Sequence, residues 1–208
     1  MDMQEVIREK GDETETPNGE EIATELEAVR HFLWLNPDRS NFIFADHVLI
    51  VEGLSEQVLI NYLLKTEGIP DPGKGIYVLE CYGKFYIPRF MKLCEGMKIP
   101  HAVLYDLDAD KKGGGKARQD RAAEQITRAK NEYTTAIDFL PENLEKFLGL
   151  NFQKREFWKA SKVLLAAQRG EIDGAKLAAF KDKVARLLAR LCPEFCGKVD
   201  SAFSPAKP

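Results

Sequence analysis

The chain is organised around the segment Asp46-His47-Val48-Leu49-Ile50-Val51-Glu52-Gly53-Leu54-Ser55-Glu56. Its run from Val48 to Val51 is continuously apolar, which is typical of a strand covered on both faces. After Glu52-Gly53, apolar side chains recur at helical spacing, at Leu54, Val58, Leu59, Tyr62 and Leu63. The pattern therefore predicts Glu52 at the carboxyl end of a strand and Glu56 in the first turn of a helix, where open α/β sheets bind ligands.

Three more apolar segments alternate with helical patterns. The further strands are predicted at 76–79, 101–105 and 134–139, and the helices at 54–65, 84–97 and 117–132, with a short helix starting at 141. This alternation predicts an α/β fold with a mostly parallel four-stranded sheet flanked by helices. From residue 152 no strand is predicted, and two helices, at 154–168 and 174–191, are expected to form a helical subdomain beside the sheet.

The domain organisation follows from these patterns. Residues 1–19 are polar and rich in acids, which predicts a disordered acidic lead-in. The α/β domain is expected to span residues 20–150, starting with a helix at about 20–35. Residues 151–208 are expected to form the helical subdomain and a tail.

The composition restricts the class of protein. The 208 residues are 44% hydrophobic and 30% charged, a balance typical of a soluble globular protein. No apolar run reaches the roughly 20 residues of a membrane helix, and the acidic N-terminus is unlike a secretion signal. The four cysteines (Cys81, Cys94, Cys192 and Cys196) lack zinc-site spacing and indicate thiols in a reducing compartment. We therefore expect a cytoplasmic protein without a membrane segment.

Charge is distributed unevenly, although the net charge of −3 does not by itself indicate a nucleic-acid partner. Residues 1–30 contain ten acidic and three basic side chains, whereas residues 152–190 contain ten basic and four acidic ones. The basic segment is either a set of ordinary solvated helix faces or a surface that holds a polyanion near an acidic site.

Acidic side chains follow several of the predicted strands. Glu52 and Glu56 follow the first strand, Asp106, Asp108 and Asp110 follow the third, and either Glu142 or Glu145 follows the fourth. Because the carboxyl ends of parallel strands share one edge, these carboxylates are expected to converge, and their oxygens suit Mg²⁺ or Mn²⁺. The alternative is that each acid only stabilises a helix N-terminus. Two such ions would suit phosphodiester hydrolysis.

A nucleotide-binding loop is not predicted. Gly68 to Lys74 fits the spacing GxxxxGK. However, the segment follows a helix and precedes a strand, which is the reverse of the order in a phosphate-binding loop, and Gly75 stands where a magnesium-binding Ser or Thr is needed. We interpret it as a turn and expect no ATP site in this chain.

The same motifs resemble a known family. Glu52-Gly-x-x-Glu56 and Asp106-x-Asp108, each after an apolar strand, resemble a Toprim domain. The resemblance extends to Leu35-Asn-Pro-Asp-Arg39, Phe44–Gly53, Gly83-Lys-Phe85 and Leu144-Glu145. Over about residues 30–190 the chain is therefore similar to the C-terminal half of an OLD-family (overcoming lysogenisation defect) endonuclease.

The resemblance implies a DNA endonuclease dependent on Mg²⁺ or Mn²⁺, with two ions, normally fused to an N-terminal ABC-type ATPase. By position, the implied metal-site acids are Glu52, Glu56, Asp106, Asp108 and Glu145, with Asp110 as a further candidate. The family also uses a lysine from the helical region, for which Lys162 is our first choice and Lys159 the second; either is otherwise an ordinary surface lysine. Glu52 and Lys162 are thus the candidate catalytic residues. The candidate DNA-binding residues are Lys111, Lys112, Lys116, Lys154, Arg155 and Lys159.

Other functions stay open. A topoisomerase-type Toprim enzyme needs a nucleophilic tyrosine, but the six tyrosines, Tyr82 among them, are predicted in strands or helices as core residues. A primase would need a polymerising site for which no motif is evident. A non-catalytic DNA-binding or dimerisation module is the third possibility, and an aspartyl-nucleophile phosphatase, prompted only by Asp106-x-Asp108, is the fourth.

Overall fold

The computed structural model describes residues 40–66, 68–69, 75–152 and 158–193. The chain divides into two compact units, 1–40 and 41–208, and the account below concerns the second. The predicted lead-in at 1–19, the helix at 20–35 and the turn at 70–74 lie outside the described residues, as do Lys154 and Arg155.

A four-stranded parallel sheet forms the centre of this unit. Its strands are β1 (His47–Val51), β2 (Ile76–Glu80), β3 (His101–Asp106) and β4 (Thr134–Leu140), in the spatial order β2-β1-β3-β4. β1 is central and buried from Val48 onward, as its continuous apolar run requires. The predicted α/β fold with a parallel sheet is confirmed.

Helices connect the strands and follow the last one. They are α1 (Leu54–Lys65), α2 (Ile87–Gly96), α3 (Gly114–Arg128), α4 (Leu144–Phe147), α5 (Lys159–Arg169) and α6 (Gly174–Leu191). Short 3-10 segments occupy Asn41–Phe44 and Lys84–Tyr86. Within the described residues, no helix has the length and apolar character that crossing a membrane demands.

Helices cover the sheet, and the last helix is part of its core. α6 contacts β1, β3 and β4, and α5 packs against α1. Phe180, Val184 and Leu188 of α6 are fully buried in one hydrophobic cluster with Leu49 and Leu104 of the sheet. α2 contacts β1 and β3. The C-terminal helices therefore bury apolar surface together with the sheet, while the proposed division at residue 150 stays a prediction.

Three local features differ from the sequence predictions. α3 begins at Gly114, so the end of the predicted basic loop at 111–116 forms its first turn. The short helix after β4 begins at Leu144, because the Asn143 side chain caps it by accepting a hydrogen bond from the Lys146 N–H at 3.0 Å. Tyr82 was wrongly predicted as a core residue: it lies in the loop after β2 and is 59% exposed.

Candidate metal centre

Two acidic strand ends meet because β1 and β3 are parallel neighbours. Val51 pairs with Leu104 in the β1–β3 register, which sets the residues that follow side by side. The Glu52 carboxylate oxygen Oε2 accepts a hydrogen bond from the backbone N–H of Asp106 at 3.1 Å. Burial raises the pKa of Glu52 and the nearby Lys84 ammonium opposes that increase. Glu52 is thus fixed at the sheet edge facing β3.

Glu56 lies in the first turn of α1 and is 5% exposed. A Cβ atom added at Gly53 would lie 3.2 Å from Glu56 Oε2, so the glycine leaves room for this carboxylate. Burial, together with the charges of Glu52 and Glu145, raises the pKa of Glu56 to about 8. A carboxylate with this pKa is costly to ionise unless a cation is near.

Asp106 interacts electrostatically with four other carboxylates, and these five side chains are called the acidic group below. It is 7% exposed, and its Oδ1 atom has no hydrogen-bond partner among the described residues. Burial raises its pKa well above the ordinary value, and four neighbouring carboxylates raise it further. These neighbours are Glu56, Glu52, Asp108 and Glu145. The structure therefore brings together five of the predicted acids.

Glu145 joins the group from the far edge of the sheet. It lies in α4, after β4, and its Oε1 accepts a hydrogen bond from the Ser55 hydroxyl at 3.3 Å. Ser55 belongs to the first turn of α1, next to Glu56. Of the two acids considered after the fourth strand, Glu145 is thus linked to the helix that carries Glu56.

Asp108 is buried and already paired with cations. It has a positive φ of 53° and is 5% exposed. Its Oδ2 atom lies 3.4 Å from the Nζ of the buried Lys84 and 3.0 Å from the Nζ of Lys111. Lys84 also donates a hydrogen bond to Gln119 of α3 at 2.8 Å. The ammonium of Lys84 therefore supplies positive charge to this side of the acidic group.

Asp110 is placed differently from the other predicted ligands. It is exposed and forms an ion pair with Lys146. The hydrogen bond from Lys146 lowers the pKa of Asp110, in contrast to the raised values of Glu56 and Asp106. Asp110 thus lies at the solvent-exposed rim of the acidic group.

The predicted basic residues are spread over several elements. Lys111 reaches Asp108, Lys112 is exposed, and Lys116 pairs with Asp120 one turn along α3 at 2.7 Å. The predicted catalytic Lys162 is exposed on α5, with Nζ 5.7 Å from the ring centroid of Phe152. Lys159 begins the same helix, which packs against α1. The catalytic role of either lysine stays a prediction.

Sequence reasoning missed Lys84 and Ser55 as members of the site. Each lies four residues after a strand end, and Lys84 belongs to the quoted motif Gly83-Lys-Phe85. Their position was therefore a usable signal. A lysine is by default a surface residue, however, and only the folded chain shows Lys84 to be 2% exposed against Asp108.

The donor set fits divalent cations such as Mg²⁺ or Mn²⁺. No group of three or more His, Cys, Asp or Glu among the described residues already stands in metal-binding geometry. Carboxylates that repel one another are not expected to close into such a geometry without a cation. The buried Asp106 Oδ1 atom nevertheless lacks a partner in the described part of the chain, and all the acidic donors are hard oxygens. A divalent cation would satisfy this oxygen and relieve the repulsion.

Residues 43–108 match the family model described as "Overcoming lysogenization defect protein-like, TOPRIM domain". The matched segment includes Glu52, Glu56, Asp106 and Asp108. The chain contains an OLD-like Toprim domain. This finding confirms the resemblance seen in the sequence motifs.

Individual relatives of the Toprim domain include the OLD nuclease of Thermus scotoductus, which is 30% identical over 94 residues. The alignment covers 42% of this chain and only 18% of that protein. Among solved structures, the C-terminal region of the Burkholderia pseudomallei OLD protein is 20% identical, with 71% of this chain and 87% of that chain covered and a TM-score of 0.34. The C-terminal region of the Xanthomonas campestris pv. campestris OLD protein is 17% identical. The match covers 74% of this chain and 85% of that chain, with a TM-score of 0.34.

Proposed function

We propose that this Toprim domain is the nuclease part of a divalent-metal-dependent DNA endonuclease. The observation that carries the proposal is the buried Asp106 carboxylate, whose Oδ1 atom has no partner among the described residues and whose pKa is raised by burial and by four other carboxylates. Such an arrangement is costly for folding and is typical of a functional site. The Toprim match and the relative named OLD nuclease support the reaction class.

The proposed ligands of one or two Mg²⁺ or Mn²⁺ ions are Glu52, Glu56, Asp106, Asp108 and Glu145, with Asp110 as a candidate at the rim. Such ions, when bound, activate water and neutralise charge on a phosphodiester. Glu52 orients the site through its contact with Asp106. We propose Lys162, with Lys159 as the alternative, as the cation that offsets charge on the reacting phosphate. Lys111, Lys112 and Lys116 are proposed to contact the DNA backbone, as are Lys154, Arg155 and Lys159.

The chain is proposed to act within a larger protein. It aligns with 18% of the Thermus scotoductus relative, so most of that protein has no counterpart in the alignment. The proposed partner is an N-terminal ABC-type ATPase region, which the resemblance to OLD-family endonucleases implies. We place the protein in the cytoplasm, in keeping with its buried thiols Cys81, Cys94 and Cys192.

A plasmid assay tests this function. The purified chain is incubated with supercoiled plasmid in Mg²⁺, in Mn²⁺ and in EDTA, and is compared with Asp106→Asn, which removes the charge but keeps the shape. The matched control is Glu124→Gln, an exposed residue of α3 paired with Arg128. We expect nicked and linear products with either metal, none in EDTA, none with Asp106→Asn and an unchanged yield with Glu124→Gln.

Other products would identify other functions. Relaxed closed circles would indicate a topoisomerase-type reaction, for which the relevant observation is the exposed Tyr82, next in the chain to Gly83, whose N–H donates to the Glu52 carbonyl oxygen. DNA retained in a gel shift without any conversion would indicate a non-catalytic binding module. Full activity of Asp106→Asn would contradict the metal site proposed here.

A further inference from the structure

The loop after β2 contains three aromatic residues and is anchored to the acidic group by Gly83 and Lys84. The aromatic residues are Tyr82, Phe85 and Tyr86. The backbone N–H of Gly83 donates to the carbonyl oxygen of Glu52 at 2.8 Å, and Lys84 of the same loop reaches Asp108. The loop is therefore anchored on the residues that form the candidate metal centre, and Tyr82 is the chain neighbour of the Gly83 that makes one of these contacts.

Tyr82 adopts a costly conformation that burial does not explain. Its φ is +55°, in the left-handed region that disfavours bulky side chains. The side chain is 59% exposed, so apolar packing offsets little of this strain. Its backbone N–H donates to Glu80 Oε2 at 2.8 Å, which a glycine or asparagine could do equally well and with less strain. Strained residues of this kind concentrate at binding and catalytic sites.

Arginines cover the other two rings of the loop. The guanidinium carbon of Arg89 lies 5.2 Å from the centroid of the Tyr86 ring, and that of Arg118 lies 4.8 Å from the centroid of the Phe85 ring. Arg118 is exposed at the start of α3, whereas Arg89 is half-buried in α2. Aromatic faces combined with guanidinium groups are typical of surfaces that bind single-stranded nucleic acid, because unpaired bases stack and phosphates need cations.

We infer that this aromatic loop, with Arg89 and Arg118, binds an unpaired DNA strand next to the metal centre. Tyr82 stacks on a base and the arginines attract the phosphates. The inference rests on the proposed nuclease function and adds the substrate class, namely DNA with a single-stranded segment at the cut, such as a gap or a flap. Bases stacked within a duplex cannot offer a face to Tyr82.

Binding to labelled oligonucleotides tests the inference without requiring cleavage. Affinity for an oligo-dT strand and for a blunt duplex is measured with Tyr82→Gly, Tyr82→Phe and the control Phe44→Ala. Phe44 is an 82% exposed aromatic three residues before β1. We expect Tyr82→Gly to weaken single-strand binding about tenfold, to leave duplex binding unchanged, and to keep the Tm within about 2 °C. Tyr82→Phe and Phe44→Ala should bind like the parent. Tyr82→Asn, which tolerates the left-handed conformation, is the second variant if Tyr82→Gly folds poorly.

The arginines are tested by salt dependence. Arg89→Met and Arg118→Met should each weaken single-strand binding and reduce the slope of log affinity against log salt by about one. Arg128→Met at the exposed end of α3 is the control and should change neither. Unchanged salt slopes for both variants would contradict the assigned phosphate contacts.

Two results would overturn the inference while leaving the nuclease intact. One is unchanged single-strand affinity of both Tyr82→Gly and Tyr82→Asn. The other is equal cleavage of gapped, flapped and blunt DNA by the parent, together with the same relative cleavage of the three substrates by Tyr82→Gly. A covalent protein–DNA product lost in Tyr82→Phe would instead make Tyr82 a nucleophile. If the parent prefers single strands but cleaves no DNA with any metal, the proposed nuclease function fails and the binding surface remains.

Discussion

The Glu52 carboxylate accepts a hydrogen bond from the backbone N–H of Asp106 at 3.1 Å, so residues 54 positions apart in the chain meet at one edge of the sheet. This contact is the central requirement of the metal-site hypothesis, because ligands on separate strands must converge before they can share a cation. The same contact also allows the role of the Glu52 charge to be tested separately from the role of Glu52 in the fold.

Glu52→Gln should remove the charge and keep this hydrogen bond, because the glutamine oxygen can accept from the same N–H. We expect the Tm to change by no more than a few degrees and plasmid cleavage to fall about 100-fold or more. Glu124→Gln, on the exposed surface of α3, is the matched control and should cleave normally. Equal cleavage by the two variants would show that the Glu52 charge is not needed.

The stability of the metal-free protein should fall as the pH rises. The pKa of Glu56 is about 8 in the folded chain and near 4.5 in the unfolded chain, so the folded state holds more protons between these values. The stabilisation is fully present below pH 4.5 and is lost as the pH rises through 8, by at most about 5 kcal/mol. Thermal melts in EDTA from pH 5 to pH 8.5 measure this slope.

Two comparisons test whether Glu56 causes this fall in stability with rising pH. The variant Glu56→Gln should show a smaller loss of Tm across the same pH range, because the titrating group is gone. Mg²⁺ or Mn²⁺ should restore the Tm of the parent most strongly at pH 8, where the site is most anionic. A Tm that rises with pH in EDTA would contradict the direction given for the pKa of Glu56.

Lys84→Met should destabilise the metal-free protein more than the Mg²⁺-bound protein. The variant leaves Asp108 buried beside other carboxylates, with Lys111 as its remaining cation partner in the described part of the chain. We expect a loss of about 2–3 kcal/mol in EDTA, measured by urea unfolding, and a smaller loss in saturating Mg²⁺, because the ion replaces the missing charge. Lys116→Met, at an exposed pair, should cost about 0.5 kcal/mol or less in both conditions. A loss that is equal with and without Mg²⁺ would mean that Lys84 acts only through packing.

Phe180→Ala should destabilise the sheet and the C-terminal helices together. The side chain is fully buried in α6 among residues of β1 and β3. We expect a loss of about 3–5 kcal/mol in a single unfolding transition. The control Leu165→Ala, at a 42% exposed position of α5, should cost less than about 1 kcal/mol. Two separate transitions in the parent would instead show an independent helical subdomain.

The sequence patterns predicted the elements of the fold closely. Each observed strand contains the predicted one with one residue added, and α1 has the predicted bounds. These elements follow from local periodicity, which each segment carries in its own residues. The edge position of Glu52 and Asp106 was predictable for the same reason, because both directly follow apolar strands.

Other residues of the site were predictable only in part. Asp110 has the same spacing from Asp108 as Asp108 has from Asp106, yet it is exposed and paired with Lys146. Acids at every second position of a loop need not share the same burial, because a loop lacks the sheet pairing that points alternate side chains to the same face. Tyr82 was predicted in the core because it was assigned to a strand or helix, whereas it lies in the turn after β2, which exposes it.

By itself, the sequence determined which segments become strands and helices and which acids end on the carboxyl edge of the sheet. The strand order β2-β1-β3-β4, the salt bridge of Lys84 with Asp108 and the hydrogen bond of Ser55 to Glu145 were decided only by the tertiary structure. The physical reason is that periodicity acts between residues a few positions apart. Burial and pairing of charges depend instead on which distant segments the packed core brings into contact.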